Sequence, residues 1–170
     1  MKKMSVFCFL SVFIILFSIS SKAETVNGVD FDIPEDWQLV DSSDDNFSSR
    51  TYSCDNQVIM ITVGGVPSDD VEMQALNNLY LLDCNSVFGE YDGFYLMTDE
   101  SVKSDDGFLT KTQECVYQGD GWYYTYLCGV NTGNAAISFA YVALSVDDHS
   151  RIREFFDLAN DFIPDIGFAN

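Results

Sequence analysis

Positive charge is what this chain has least of. Eight lysines and arginines and one histidine stand against 27 aspartates and glutamates in 170 residues, a formal net charge of −19. A surface that binds phosphate needs clustered Lys or Arg, so this balance argues against nucleic acid and against anionic lipid head groups as partners. The single histidine, His149, leaves little for a Ser-His-Asp or Cys-His hydrolase and less for a zinc site. It lies in Asp147-Asp148-His149-Ser150, ahead of a helical pattern, where a place in an exposed capping turn accounts for it. No two cysteines are spaced as a CxxC knuckle, and no glycine loop has the phosphate-binding pattern. The acidic clusters at 41–45, 69–72 and 99–106 do not match D-x-D-x-D-G with a closing glutamate. Repeats, linkers and low-complexity segments are missing too, so one domain without a cofactor is expected.

The one long apolar run, residues 6–17, follows Lys2 and Lys3 and precedes Ser21-Lys22-Ala23. A charged start, a short apolar stretch and small residues at the cleavage positions read as a secretory signal peptide over residues 1–23. The run is too short for a stable membrane span. The rest, residues 24–170, has the size of a single globular domain, expected in the periplasm or secreted. Removing the leader leaves five cations, Arg50, Lys103, Lys111, Arg151 and Arg153, against the 27 carboxylates, and 5 − 27 is −22. Such a body suits positive partners: a cationic protein, a basic peptide or divalent cations. Solubility alone is the competing account of the acidity.

Cys8 leaves with the leader. Cys54, Cys84, Cys115 and Cys128 remain, an even set in an oxidising compartment that predicts two disulfides. Three pairings are open. A two-residue turn at Asp120-Gly121 would make Cys115 and Cys128 diagonal neighbours, about 7–8 Å apart and too far for an unstrained bridge. A four-residue loop over 120–123 would set them directly opposite. That favours the longer loop, a Cys115–Cys128 bridge, and a Cys54–Cys84 bridge tying strand to helix.

Periodicity sets the fold class. Asn27-Gly28 is a turn, and Val29, Phe31 and Ile33 alternate after it up to Pro34. An extended run over 37–40, a polar acidic loop over 41–46, and a hairpin of 47–54 with 58–64 follow. The second hairpin arm is apolar on both faces, which places it inside the sheet. Asp69 and Glu72 open a first helix with an apolar stripe through Leu82, ending near 84–88. Residues 91–146 read as four strands joined by tight turns at 104–107, 119–121 and 131–134, an antiparallel meander. Asp147 or Asp148 is expected to cap a final helix with Ile152, Phe155, Phe156, Ala159, Phe162 and Ile163 on one face, closed by Pro164. The expected fold is α+β, a single antiparallel sheet of about seven or eight strands with a C-terminal four-strand meander, sandwiched by two helices.

The segment Asn27-Gly28-Val29-Asp30-Phe31-Asp32-Ile33-Pro34-Glu35-Asp36-Trp37 resembles the opening of PsbP-like domains, of the form F-x-[IL]-P-x-x-W. The order of elements from about Val26 to Ile163 is similar as well. The resemblance implies a fold, with Trp37 as a core anchor. Relatives of this kind include small exported bacterial proteins, photosystem-associated proteins and factors that bind other proteins.

No carboxylate pair stands on an apolar strand end beside sugar-stacking residues, so the acidic groups read as a solvated face. Within 122–126 the aromatic residues alternate between two covered faces, and most of them are core. Trp122 and Tyr123, beside the turn at Asp120, are placed to reach solvent as anchors. With Asp44, Asp45, Asp105, Asp106 and Asp120 they form the expected partner-binding set. The leading expectation is a non-enzymatic envelope protein that binds a cationic protein, as an immunity protein or an inhibitor of a periplasmic toxin or cell-wall hydrolase would. A carboxylate-based hydrolase and a structural or assembly factor are the alternatives.

Overall fold

The computed structural model describes residues 21–44, 47–65, 83–103, 109–131 and 135–163. Asn27 and Gly28 both take positive φ, 47° and 79°. Two such residues in succession make a tight hairpin turn, which folds β1 (Ser21–Val26) onto β2 (Val29–Pro34). A second tight turn, with Asp55 at φ 53°, joins β4 (Ser48–Cys54) to β5 (Gln57–Gly65). The other strands are β3 (Gln38–Asp44), β6 (Asp92–Lys103), β7 (Leu109–Gln118), β8 (Trp122–Asn131) and β9 (Ala135–Ala143).

Seven strands form one antiparallel sheet in the order β3-β4-β5-β9-β8-β7-β6. The meander β6-β7-β8-β9 and the inner position of β5 match the sequence reading. Three expectations are corrected. The hairpin β1-β2 is a separate two-stranded sheet, so the fold is not a single sheet. Its strand β2 is apolar on one face only, so that face lies flat on the large sheet, where Phe31 meets Phe139 at 6.0 Å. The acidic stretch 41–44, expected as loop, belongs to β3, paired to β4 and anchored by Arg50 on Asp44 at 2.8 Å. Neither Asp147 nor Asp148 caps the last helix: α2 (Ile152–Asn160) starts after Arg151, and Asp148 instead accepts bonds from Ser150 in the turn before it.

The expected first helix lies outside the described residues except at its end. There α1 (Cys84–Phe88) is a helix of its own, because Asp83 is extended and caps it, accepting from the N–H groups of Asn85 and Ser86.

Each face of the sheet has its own cluster. On one, α2 and the hairpin cover Tyr124, Tyr126, Cys128, Phe139 and Tyr141. Ile152, Phe155, Phe156 and Ala159 recur at three-and-four spacing on α2 and are all buried there. On the opposite face, Cys84 of α1 packs with Cys115, Leu127 and Ala140.

Candidate functional site

Gly119, Asp120 and Gly121 close a three-residue loop between β7 and β8, with the Gly119 N–H bonded to the Gly121 carbonyl at 2.8 Å. Because the side-chain period of a strand is two, the pairing of Gln118 with Trp122 fixes which face every later residue takes. Trp122 falls on the α2 face, past the end of the helical cover, and is 45% exposed. Its ring lies against the backbone of edge strand β6 at Gly93. A Cβ there would stand 2.6 Å from Trp122 Cη2, and Gly93 also takes φ 63°. Tyr95, 65% exposed, shares the Trp122 face through the register Tyr95–Val116–Tyr124.

Tyr123 points to the other face and belongs to a stack. Its ring lies 5.2 Å from Tyr117, which lies 4.4 Å from Phe88 of α1 and 5.0 Å from Tyr91. The Tyr123 hydroxyl donates to Asp120, and that carboxylate holds the phenol above its ordinary pKa. Glu90 and Asp92, next in sequence to Tyr91, and Asp120, in the loop before Trp122, are exposed, as are Tyr95 and Trp122 on one face and Tyr91 on the other. The result is one corner of the sheet with exposed aromatics on both faces and acidic residues beside them.

The expected partner-binding residues therefore separate. Trp122, Tyr123 and Asp120 come together, with Tyr123 held inward by its stack. Asp44 lies on β3, the opposite edge of the sheet, paired with Arg50. Asp45, Asp105 and Asp106 fall outside the described residues. Tyr91, Gly93 and Tyr95 were missed by the sequence reading. The spacing Tyr-x-Gly-x-Tyr at a strand start was the available signal, since a glycine there marks close approach by another group.

The cations are mostly committed. Arg50 bridges Asp44 and Glu24, Lys111 binds Asp83 at 2.6 Å, and Arg151 binds Asp36 and Glu154. Bonding to Arg151 pulls the Asp36 carboxyl below its ordinary pKa, and the two carboxylates raise Arg151 despite its burial. Glu154 also accepts from the Trp37 indole at 2.6 Å, so two donors hold it. It lines a shallow groove with Asp32, Asp157 and Asp161 between β2 and α2.

His149 is not the exposed cap expected of it. It is half-buried, with its ring 4.6 Å from Tyr124. The neighbouring Ser150 hydroxyl bonds to Asp148 and Gln57, an arrangement without the base-to-nucleophile contact of a hydrolase. Among the described residues no three His, Cys, Asp or Glu side chains are grouped to hold a metal ion, and none of the described helices is long and apolar enough to cross a membrane.

The expected disulfide pairing is corrected by the register. Cys115 stands opposite Thr125, and Cys128 opposite Thr112. The odd loop sends Cys115 and Cys128 to opposite faces of the sheet, so they cannot bridge. Cys54, at the end of β4, packs on the α2 face, away from Cys84. All four cysteines are thiols in the structure.

No protein family and no curated protein matches the sequence. Among solved structures, that of cyanobacterial PsbP (CyanoP) from Synechocystis sp. PCC 6803 is similar over 85% of this chain and 92% of that one, at a TM-score of 0.58 and 18% identity. A protein of unknown function from Pseudomonas aeruginosa, PA94, is matched over 88% of this chain and 99% of that one, at a TM-score of 0.46 and 12% identity. The cyanobacterial likeness shows that this chain has a PsbP-like fold, in keeping with its opening at 27–37.

Proposed function

We propose that the chain is an exported, non-enzymatic binding protein of the bacterial envelope. It engages a cationic protein, such as a toxin or a basic cell-wall hydrolase, at the corner formed by Trp122 and Tyr95. Support comes from one observation: the exposed rings of Trp122 and Tyr95 share one face at a sheet corner where Glu90, Asp92 and Asp120 are exposed as well. Aromatic side chains in the centre of an interface carry most of its affinity, and rim charges of one sign speed the encounter with an oppositely charged partner. Arg50, Lys111 and Arg151 are tied up in ion pairs, so they do little to offset the field of the free carboxylates.

Export fits the hairpin. Cleavage after Ala23 would remove the pairs Ser21–Pro34, Lys22–Ile33 and Ala23–Asp32, while Glu24, Thr25 and Val26 stay paired. The side chains of Ser21, Lys22 and Ala23 are exposed, so the core loses no side chain.

Affinity capture with the mature protein from an envelope extract, at low and at high salt, tests the proposal. A basic protein that binds at low salt, elutes with salt and is not captured by Trp122→Ala is the expected result. An empty capture at low salt, or equal recovery by the variant, rejects it.

A further inference from the structure

We infer that Cys84 and Cys115 join as a disulfide when the protein is oxidised, while Cys54 and Cys128 remain thiols. The inference starts from alternation on β7. Lys111, Gln113 and Cys115 share one face of the strand, and all three meet the start of α1. Lys111 Nζ binds Asp83 at 2.6 Å, and Gln113 donates to the same carboxylate at 2.9 Å. Gln113 Oε1 accepts the backbone N–H of Cys84 at 2.9 Å. These bonds seat Cys84 over the 113–115 stretch of β7, beside Cys115. Both residues are fully buried in one small cluster with Leu127 and Ala140.

The other pairings are excluded: Cys84 and Cys115 lie on one face of the sheet and Cys54 and Cys128 on the other, and Cys54 is far from Cys128 and Cys115. Cys54 pairs with Gln57, which pairs with Ala143, while Cys128 pairs with Phe139. Cys54 and Cys128 are thus three strand spacings apart, on the order of 14 Å before any offset along the strands, against a reach of about 7 Å for a bridge. Cys115, on β7, lies one strand farther still from Cys54.

The two thiols give up two protons and two electrons to a disulfide oxidant such as oxidised glutathione, which leaves as two glutathione thiols. The Cys115 contact and burial push the Cys84 thiol far up, so thiolate is scarce in the folded protein. Oxidation therefore belongs to folding, before α1 seals against β7. Once formed, the bond is out of reach of reductants until the protein opens. It fastens the helix whose Phe88 carries the Tyr117 and Tyr123 stack.

Tryptic mapping without reductant gives a direct test. Cleavage after Arg50, Lys103, Lys111 and Arg151 leaves Cys54 and Cys84 together in residues 51–103, and Cys115 and Cys128 together in 112–151. The protein is folded in a glutathione redox buffer, alkylated in denaturant and digested. The two peptides are expected joined, and separated by reductant. They should stay joined in Cys54→Ser and Cys128→Ser and come apart in Cys84→Ser and Cys115→Ser. Fragmentation of the joined pair from the unmutated protein assigns the linked sulfurs even where a variant fails to fold. Unjoined peptides, or a link placed at Cys54 or Cys128, would overturn the inference.

Discussion

Trp37 and Glu154, 117 residues apart, meet at 2.6 Å, the indole N–H donating to the carboxylate. Arg151 completes the site, donating to Glu154 at 2.8 Å and lying 5.9 Å from the centre of the Trp37 ring. Near the chain start the PsbP-like opening is thereby fastened to the last helix. Trp37 is buried, so Trp37→Ala loses both the packing and the bond. We expect a loss of about 3–5 kcal/mol, by analogy with other buried aromatic truncations, read as a lower denaturant midpoint at unchanged slope.

Gln57 is a second fastening, buried in the sheet. Its carbonyl oxygen accepts from the Tyr141 hydroxyl and from the Arg151 N–H at 2.9 Å, and its amide donates to Ser150 at 3.1 Å. Gln57→Leu keeps the volume and orphans the buried Tyr141 hydroxyl, at about 1–3 kcal/mol, together with the half-buried Arg151 N–H. Thermal unfolding should show the variant clearly destabilised. An unchanged melting temperature would mean that these bonds contribute nothing.

Acid should weaken the fold. Arg151 holds the Asp36 carboxyl low. At Asp83, burial pushes the carboxyl up, but bonds from Lys111 and Gln113 outweigh it and leave it low. A carboxylate with a lowered pKa in the folded state contributes stability that is present above its unfolded value of about 3.9 and is lost as pH falls through the folded value. Melting temperature should therefore drop below about pH 4, with a shallower drop in Asp83→Asn. At the alkaline end, burial pushes Tyr117 and Tyr126 up to about 12. Their contribution is complete below about pH 10 and is lost as pH rises through 12. Melting scans across both ends check the two signs.

Much of this architecture was legible because local rules and tertiary demands agreed. Asn27-Gly28 permits positive φ at both positions, and β5 is apolar on both faces, so turn and inner strand declared themselves. Asp83 misled by interrupting a helical stripe as a cap, which needs tertiary contacts with Lys111 and Gln113 to be recognised. The β7-β8 loop misled by parity. Two, three and four residues are all compatible with Gly119-Asp120-Gly121, yet only the three-residue form moves Cys115 to the face of Cys84. At the corner, Trp122 was visible as an aromatic beside a turn. Tyr95 was not, because it joins Trp122 only through the pairing of β6 with β7.

Gly93 tests how the corner is built. Its φ of 63° and its approach to Trp122 both require the missing side chain. Gly93→Ala should cost about 1–2 kcal/mol from the left-handed backbone alone and push the indole outward. Trp37 is buried, so the shift of tryptophan emission to longer wavelength and the gain in quencher access should come from Trp122. Emission unchanged from the parent protein would show that the ring does not rest there.

The proposed function is tested most directly by the affinity of the captured cationic protein for the parent chain, Trp122→Ala and Asp120→Asn at two salt concentrations. Trp122→Ala should weaken binding by at least about 2 kcal/mol, roughly thirtyfold, chiefly through faster dissociation. Asp120→Asn should slow association at low salt and matter little at high salt. Binding that keeps its strength without the indole, or that strengthens as salt is added, would contradict the account.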